Sequence, residues 1–167
     1  ETAEFIEKIY ALTPSGEERI IKTNQIQWHY RGSSLDKELI ITGAEMNFKN
    51  IDQKTSQDEI QSVRQFRKST QPGGRNPGCA FRNPGDDSAG RLIDKHGLKN
   101  LSLANCSVSV IHGNFLVNNK KATAAEYAEL MRLVQTKVFE ACGIILKQEV
   151  VFSDNSQINA VQALNIT

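Results

Sequence analysis

The sequence predicts an α+β fold, and three observations carry that prediction. Short alternating strand segments fill the first third of the chain, two amphipathic helices each open on a capping box, and one cluster of Pro and Gly separates the helices.

In the opening segment Phe5, Glu7, Ile9 and Ala11 share one parity, while Tyr10 and Leu12 fall on the other. Pro14-Ser15-Gly16 supplies a turn and Arg19-Ile20-Ile21-Lys22 returns from it, which together read as a hairpin. Glu38 to Phe48 reads as a further strand, and Trp28-His29-Tyr30-Arg31-Gly32-Ser33 lies between as a polar and aromatic loop. Ser56-Gln57-Asp58-Glu59 has the form of a capping box, and Ile60, Val63 and Phe66 give the helix behind it one apolar side up to about Thr70. Pro72, Gly73, Gly74, Asn76, Pro77 and Gly78 then punctuate the chain, so the boundary is expected there, dividing 1–71 from 72–167.

Beyond the boundary, Asp87 can cap a short helix built on Ala89, Leu92 and Ile93 and stopped at Gly97. Thr123 and Glu126 form the second capping box, ahead of a stripe of Tyr127, Leu130, Met131, Val134, Val138 and Ala141 that ends at Gly143. Ile144 to Phe152 reads as a strand containing Glu149, and Ile158 to Ile166 as a last one.

The 167 residues suffice for one ordinary domain, or for one small domain and part of another. A net charge of +1 creates no global field that recommends nucleic acid or an anionic membrane as a partner. Cys79, Cys106 and Cys142 are odd in number, widely spaced and without a C-x-x-C pair, which fits a reducing compartment better than a disulfide framework or a zinc site. With neither an apolar span nor a signal-peptide grading, the chain reads as cytoplasmic.

Chemistry concentrates in Gly78-Cys79-Ala80-Phe81-Arg82-Asn83-Pro84, where a glycine lets a ligand approach the backbone next to a thiol, a cation and an amide. Read alone, a cysteine among apolar residues is more often a small buried hydrophobe than a catalytic group. Arg31 then reads as a loop arginine, Glu149 as an exposed strand residue, and His112 as either a diphosphate donor or a satisfied core histidine.

Tyr30-Arg31-Gly32-Ser33, Gln71-Pro72, Gly78 to Pro84, Ala89-Gly90-Arg91-Leu92-Ile93-Asp94 and Gly97-Leu98-Lys99 follow one another in that order. Val108-Ser109, His112-Gly113-Asn114-Phe115-Leu116-Val117-Asn118, Ala122-Thr123-Ala124 and Glu149-Val150 continue the series. This ordered set resembles the flavin-dependent UDP-N-acetylenolpyruvoylglucosamine reductase family, known as MurB, from within its second domain onward. The glycine-rich and serine-containing loops that hold the flavin diphosphate have no counterpart here, so the resemblance implies a fragment or a separately encoded half with a missing N-terminal partner.

The resemblance implies FAD and NADPH as cofactors, a UDP-sugar substrate, and reduction of UDP-N-acetylglucosamine enolpyruvate to UDP-N-acetylmuramate in peptidoglycan synthesis. Arg31 matches the arginine that grips the substrate carboxylate. Glu149 matches the glutamate that reaches the same carboxylate, a role that needs an environment favouring its protonated form. Cys79 stands at the proton donor, serine in most of the family; a thiol with a reference pKa of about 8.5 preserves that role.

Asn83, Asn114, Arg82, Lys68 and His112 fall to the substrate, and Tyr30 and Ser33 to the flavin. The sequence departs from the family pattern at Leu103-Ala104-Asn105-Cys106, at Ile111 where a lysine is common, and at Val151 where an arginine often follows. Two other readings compete. One is a UDP-sugar-binding fragment without turnover. The other is a Cys79/His112 hydrolase, for which nothing beside Cys79 signals a base-paired nucleophile.

Overall fold

In the computed structural model, residues 2–119 and 121–152 are described, and the Ile158 to Ile166 strand expectation lies outside them. The order is β1 (Ile6–Leu12), β2 (Glu18–Lys22), β3 (Trp28–His29), β4 (Gly32–Ser33), β5 (Ile40–Met46), α1 (Gln53–Thr70), α2 (Ala89–Lys95), β6 (Ser102–Leu103), β7 (Cys106–Val108), β8 (Leu116–Asn118) and α3 (Ala124–Cys142). All strand pairing is antiparallel and no helix joins two parallel strands, so the class is α+β. Among the described residues no helix is long and apolar enough to cross a membrane.

The chain divides into two compact units, 1–57 and 58–167. In the first, β1 is the central strand of the order β2-β1-β5. The parity read from the sequence is the buried one, with Ile9 4% and Ala11 2% exposed, while Tyr10 lies on the open side and bonds Glu45 from there together with Lys8. The β1–β2 hairpin closes through Thr13, whose carbonyl accepts the Gly16 N–H at 2.9 Å and whose hydroxyl accepts the Glu17 N–H at 3.0 Å. A second, two-residue hairpin joins β3 to β4 across Tyr30 and Arg31, with Trp28 opposite Ser33 and His29 opposite Gly32.

Helix α1 begins three residues before the expected capping box. Asp52 takes the cap, accepting the Thr55 N–H at 2.9 Å and the Thr55 hydroxyl at 2.5 Å. The apolar side of α1 is not buried: Ile60, Val63 and Phe66 are 49%, 57% and 65% exposed.

The second unit has one core. α3 lays Tyr127, Leu130, Met131, Val134 and Val138 against a β6-β7-β8 sheet that contributes Cys106, Val108 and Leu116, while α2 adds Leu92 and Ile93. Thr123 and Glu126 cap α3 reciprocally, as their spacing predicts. Gly143 ends it in the left-handed region at φ 71°, donating to the Phe139 carbonyl at 2.7 Å. Ser88, not Asp87, caps α2 by accepting the Arg91 N–H, while Asp87 accepts the Ser88 N–H and pairs with the Arg91 guanidinium one turn on.

The expected strand at Ile144 to Phe152 reduces to a single bridge, Phe81 to Gln148. It is flanked by the hydrogen bonds Arg82 N–H to the Lys147 carbonyl, 2.8 Å, and Glu149 N–H to the Ala80 carbonyl, 2.9 Å. On its other side the 79–82 segment bridges Cys79 to Phe115 and donates the Ala80 N–H to the Asn114 carbonyl at 2.8 Å. Residues 79–82 are therefore a short segment bridged on both sides by later pieces of chain.

The Thr123 cap closes two of the orphan donors of a helix that forms much of the core. Thr123→Ala is expected to lower stability by about 1 kcal/mol, read as a shift of the urea midpoint at unchanged slope. An unchanged midpoint would mean that the box adds nothing beyond water at this terminus.

Candidate active site

The second unit holds a cleft of about 390 Å³. Cys79 reaches it from the doubly bridged 79–82 segment, Asn83 from the position just after it, and His112 and Asn114 from the loop between β7 and β8. Gly78 precedes Cys79 at φ 91°, a conformation that side chains rarely adopt, so the turn delivering the thiol requires glycine there.

Asn114 anchors the arrangement. It is 2% exposed, and its amide is committed to one backbone residue: Oδ1 accepts the Phe81 N–H at 2.9 Å and Nδ2 donates to the Phe81 carbonyl at 2.7 Å. Its side chain thus behaves as one more rung of sheet against the segment that carries Cys79. Asn83 is half committed, since its Oδ1 accepts the Ala89 N–H at the start of α2 at 3.1 Å.

The loop bearing His112 and Asn114 is folded by Ser109, which is buried and whose hydroxyl accepts the Ile111 and His112 N–H groups at 3.1 and 3.3 Å. It is pressed onto α2 at Gly113, where an added Cβ would stand 2.6 Å from the Gly90 carbonyl oxygen and 3.2 Å from Ile93. Close packing of loop on helix therefore fixes His112 above Gly90. The His112 ring stands edge-on to Phe115 at 4.9 Å, and its Nδ1 accepts the Asn114 N–H at 3.2 Å. That bond places the ring proton on Nε2, and partial burial, seconded by the charge of Lys99, pushes the imidazole pKa below its ordinary value.

Ser88, Arg91, Asp94, Lys99 and Ile111 line the same cleft. None of these was singled out for a site from its residue type. Arg91 and Lys99 do stand inside the motifs Ala89 to Asp94 and Gly97 to Lys99, and that was the available signal. Each cation is balanced locally, Arg91 by Asp87 and Lys99 by Asp94 at 2.7 Å. The Arg91 bonds hold the Asp87 carboxyl below the usual carboxylate range.

Other expected site residues sit elsewhere. Glu149 is half-buried, and its N–H bonds the carbonyl of Ala80, the residue after Cys79, so its backbone runs beside the thiol's. Arg82 is exposed beyond the bridge, and Lys68 is exposed in the last turn of α1. Tyr30, Arg31 and Ser33 belong to the β3–β4 hairpin of the first unit. Arg31 adopts φ 58°, a left-handed conformation costing a non-glycine residue about 1 kcal/mol, and its guanidinium lies 5.5 Å from the centre of the Tyr30 ring.

Comparison with known proteins gives one answer. Residues 68–153 match the family described as UDP-N-acetylenolpyruvoylglucosamine reductase, C-terminal domain. A UDP-N-acetylenolpyruvoylglucosamine reductase from Rickettsia bellii is 35% identical over 151 residues, covering 90% of this chain and 50% of the relative. One from Syntrophobacter fumaroxidans is 31% identical over 164 residues, covering 98% and 48%. The crystal structure of UDP-N-acetylenolpyruvylglucosamine reductase from Thermus caldophilus superposes with a TM-score of 0.76 at 34% identity, covering 89% of this chain and 53% of that one. The chain spans about half the length of the relatives it matches.

Two outcomes follow from this geometry. Asn114→Ala removes both partners of the buried Phe81 backbone, and each stranded group costs about 1–3 kcal/mol. Equilibrium denaturation should therefore show a loss of about 3 kcal/mol, and a loss under 1 kcal/mol would show that water replaces the amide. His112 should titrate below 6.5 by NMR, with the proton on Nε2. Because its folded pKa lies below the unfolded one, its contribution to stability is complete above the unfolded value and is lost as pH falls toward the folded one. Lys99→Ala should move the midpoint upward, and a downward move would exclude Lys99 as a cause.

Proposed function

The chain belongs to the UDP-N-acetylenolpyruvoylglucosamine reductase family, and from that premise we propose that it supplies the substrate-facing part of a flavin-dependent reductase. The reaction proposed is reduction of UDP-N-acetylglucosamine enolpyruvate to UDP-N-acetylmuramate, in the cytoplasm, for peptidoglycan synthesis. The observation that carries this reading is the cleft that gathers Cys79, Asn83, His112 and Asn114, with Glu149 hydrogen-bonded to the residue after Cys79.

The first unit, with the segment up to Gln71, is proposed as part of the flavin-binding domain, and 72–167 as the substrate domain. Trp28 and Tyr30 present exposed rings on one hairpin with the Ser33 hydroxyl on its second strand, a set of groups that suits a planar ring with polar edges. Tyr30 and Ser33 are the residues that would hold FAD. When bound and reduced by NADPH, the flavin supplies the hydride.

The remaining work falls to this chain's side chains. Hydride addition to an alkene bearing a carboxylate pushes an electron pair toward the carboxylate oxygens, and the adjacent carbon must then take a proton. Arg31 holds the carboxylate in a two-pronged grip. Glu149 meets the same group, and the Cys79 thiol gives its proton to the carbon. Asn83 has its amide hydrogens to offer a substrate oxygen, since its carbonyl is taken by Ala89. Arg82, Lys68 and the Nε2–H of His112 are proposed for the diphosphate. Asn114, its amide committed to Phe81, serves as a positioning residue for the Cys79 segment.

A second reading is a UDP-sugar-binding part without turnover of its own. Flavin absorbance of the purified chain separates the two.

In an enzyme carrying the flavin-binding half, Cys79→Ser should keep most activity and Cys79→Ala should slow turnover by about 10²- to 10⁴-fold. Stopped-flow reoxidation of reduced flavin by the enolpyruvyl substrate isolates that step, and reduction by NADPH should be untouched in both variants. Normal reoxidation and product formation by the alanine variant would leave Cys79 a packing residue.

A further inference from the structure

Charge in the Cys79 cleft is arranged unevenly. Arg91 and Lys99 both line it and each is paired with a carboxylate, but the two carboxylates stand differently. Asp87 holds Arg91 from outside the lining, whereas Asp94 lines the cleft itself, half-exposed, with its Oδ2 2.7 Å from the Lys99 Nζ. Lys99 is the more enclosed partner of that pair, and its charge reaches the His112 imidazole and lowers its pKa. Helix stability gives no reason for a carboxylate at Asp94, because the last turn of α2, where it sits, favours cations.

The groups around Asp94 suit an anion. Arg91 and Lys99 are cations, and the Nε2–H of His112 and the amide hydrogens of Asn83 are donors. An oxygen bonded to the Lys99 Nζ stands at most about 5.5 Å from the Asp94 oxygen that shares this ammonium. Two negative charges at that distance repel appreciably beside a protein wall. Asp94 therefore subtracts from the anion affinity of the cleft, and subtracts more as the occupant brings more charge.

A diphosphate that joins a nucleoside to a sugar carries one negative charge on each phosphate. A free terminal phosphate, with a second pKa of about 6, carries close to one more at pH 7. We propose that Asp94 is a specificity-determining residue, its carboxylate making the cleft favour nucleotide sugars over the free nucleoside diphosphate. The inference rests on the UDP-sugar reading of the cleft and deepens it: substrate and product of that reaction are both diesters, so Asp94 disfavours occupation by UDP while both remain acceptable.

Calorimetric titration of the 167-residue chain with UDP-N-acetylglucosamine, UDP-glucose and UDP tests this. UDP-glucose lacks the acetamido group and so controls for contacts made by that group. Asp94→Asn should strengthen UDP about five- to tenfold more than it strengthens either diester, and added salt should shrink that difference. Asp94→Glu keeps the charge and should keep the wild-type preference. Equal strengthening of all three ligands, unchanged affinities, or weaker binding of UDP by Asp94→Asn would overturn the proposal and leave the UDP-sugar reading standing. Failure of the unsubstituted chain to bind any of the three would overturn both.

Discussion

The cleft depends on one side chain standing in for backbone. Asn114 satisfies both the N–H and the carbonyl of Phe81, and its own carbonyl takes the Ala80 N–H, so three hydrogen bonds fasten one edge of the 79–82 segment. The other edge is tied to Lys147 and Glu149. A segment this short cannot hold itself by two isolated bridges alone, and the buried Phe81 ring and the amide doublet together fix its position. Cys79, which opens that segment, and Asn83, which follows it, inherit their places from it.

Much of the fold is legible in the sequence because its determinants are local. Ile9 and Ala11 alternate on one face of a strand, and Thr123 and Glu126 lie three residues apart before an apolar stripe, so β1 and α3 follow without knowledge of their partners. The start of α1 was less determined, because Asp52 and Ser56 both suit a cap and only the bonds from Thr55 decide between them. The stripe of Ile60, Val63 and Phe66 marks a side fit for burial, but periodicity says nothing about what lies opposite. The strand read at Ile144 to Phe152 shrinks to one bridge because its neighbour ends at Asn83-Pro84.

The site was legible as a set of residue types and less so as an assembly. Motif resemblance picked out Cys79, Asn83, His112 and Asn114 one at a time, and the cleft gathers them with Arg91 and Lys99, whose inclusion follows from the contact of Gly113 on Gly90. No local pattern encodes that contact. Hydrogen-bond accounting then separates roles that residue type leaves equal: two asparagines of one cleft differ in that Asn114 has both ends of its amide engaged by Phe81, and Asn83 has its oxygen engaged by Ala89.

The double bridging of residues 79–82 sets an order on the making of the protein. The segment's first partner lies 33 residues later at Asn114, and its second is not reached until Lys147 to Glu149. On a ribosome that extends the chain by about 5–20 residues each second, the thiol segment waits several seconds with one or both edges unpaired. Helix α3, assembled from neighbouring residues, can form during that interval. The second edge of the thiol segment is thus tied down, by the residues around Gln148, only after the whole of α3 has been made.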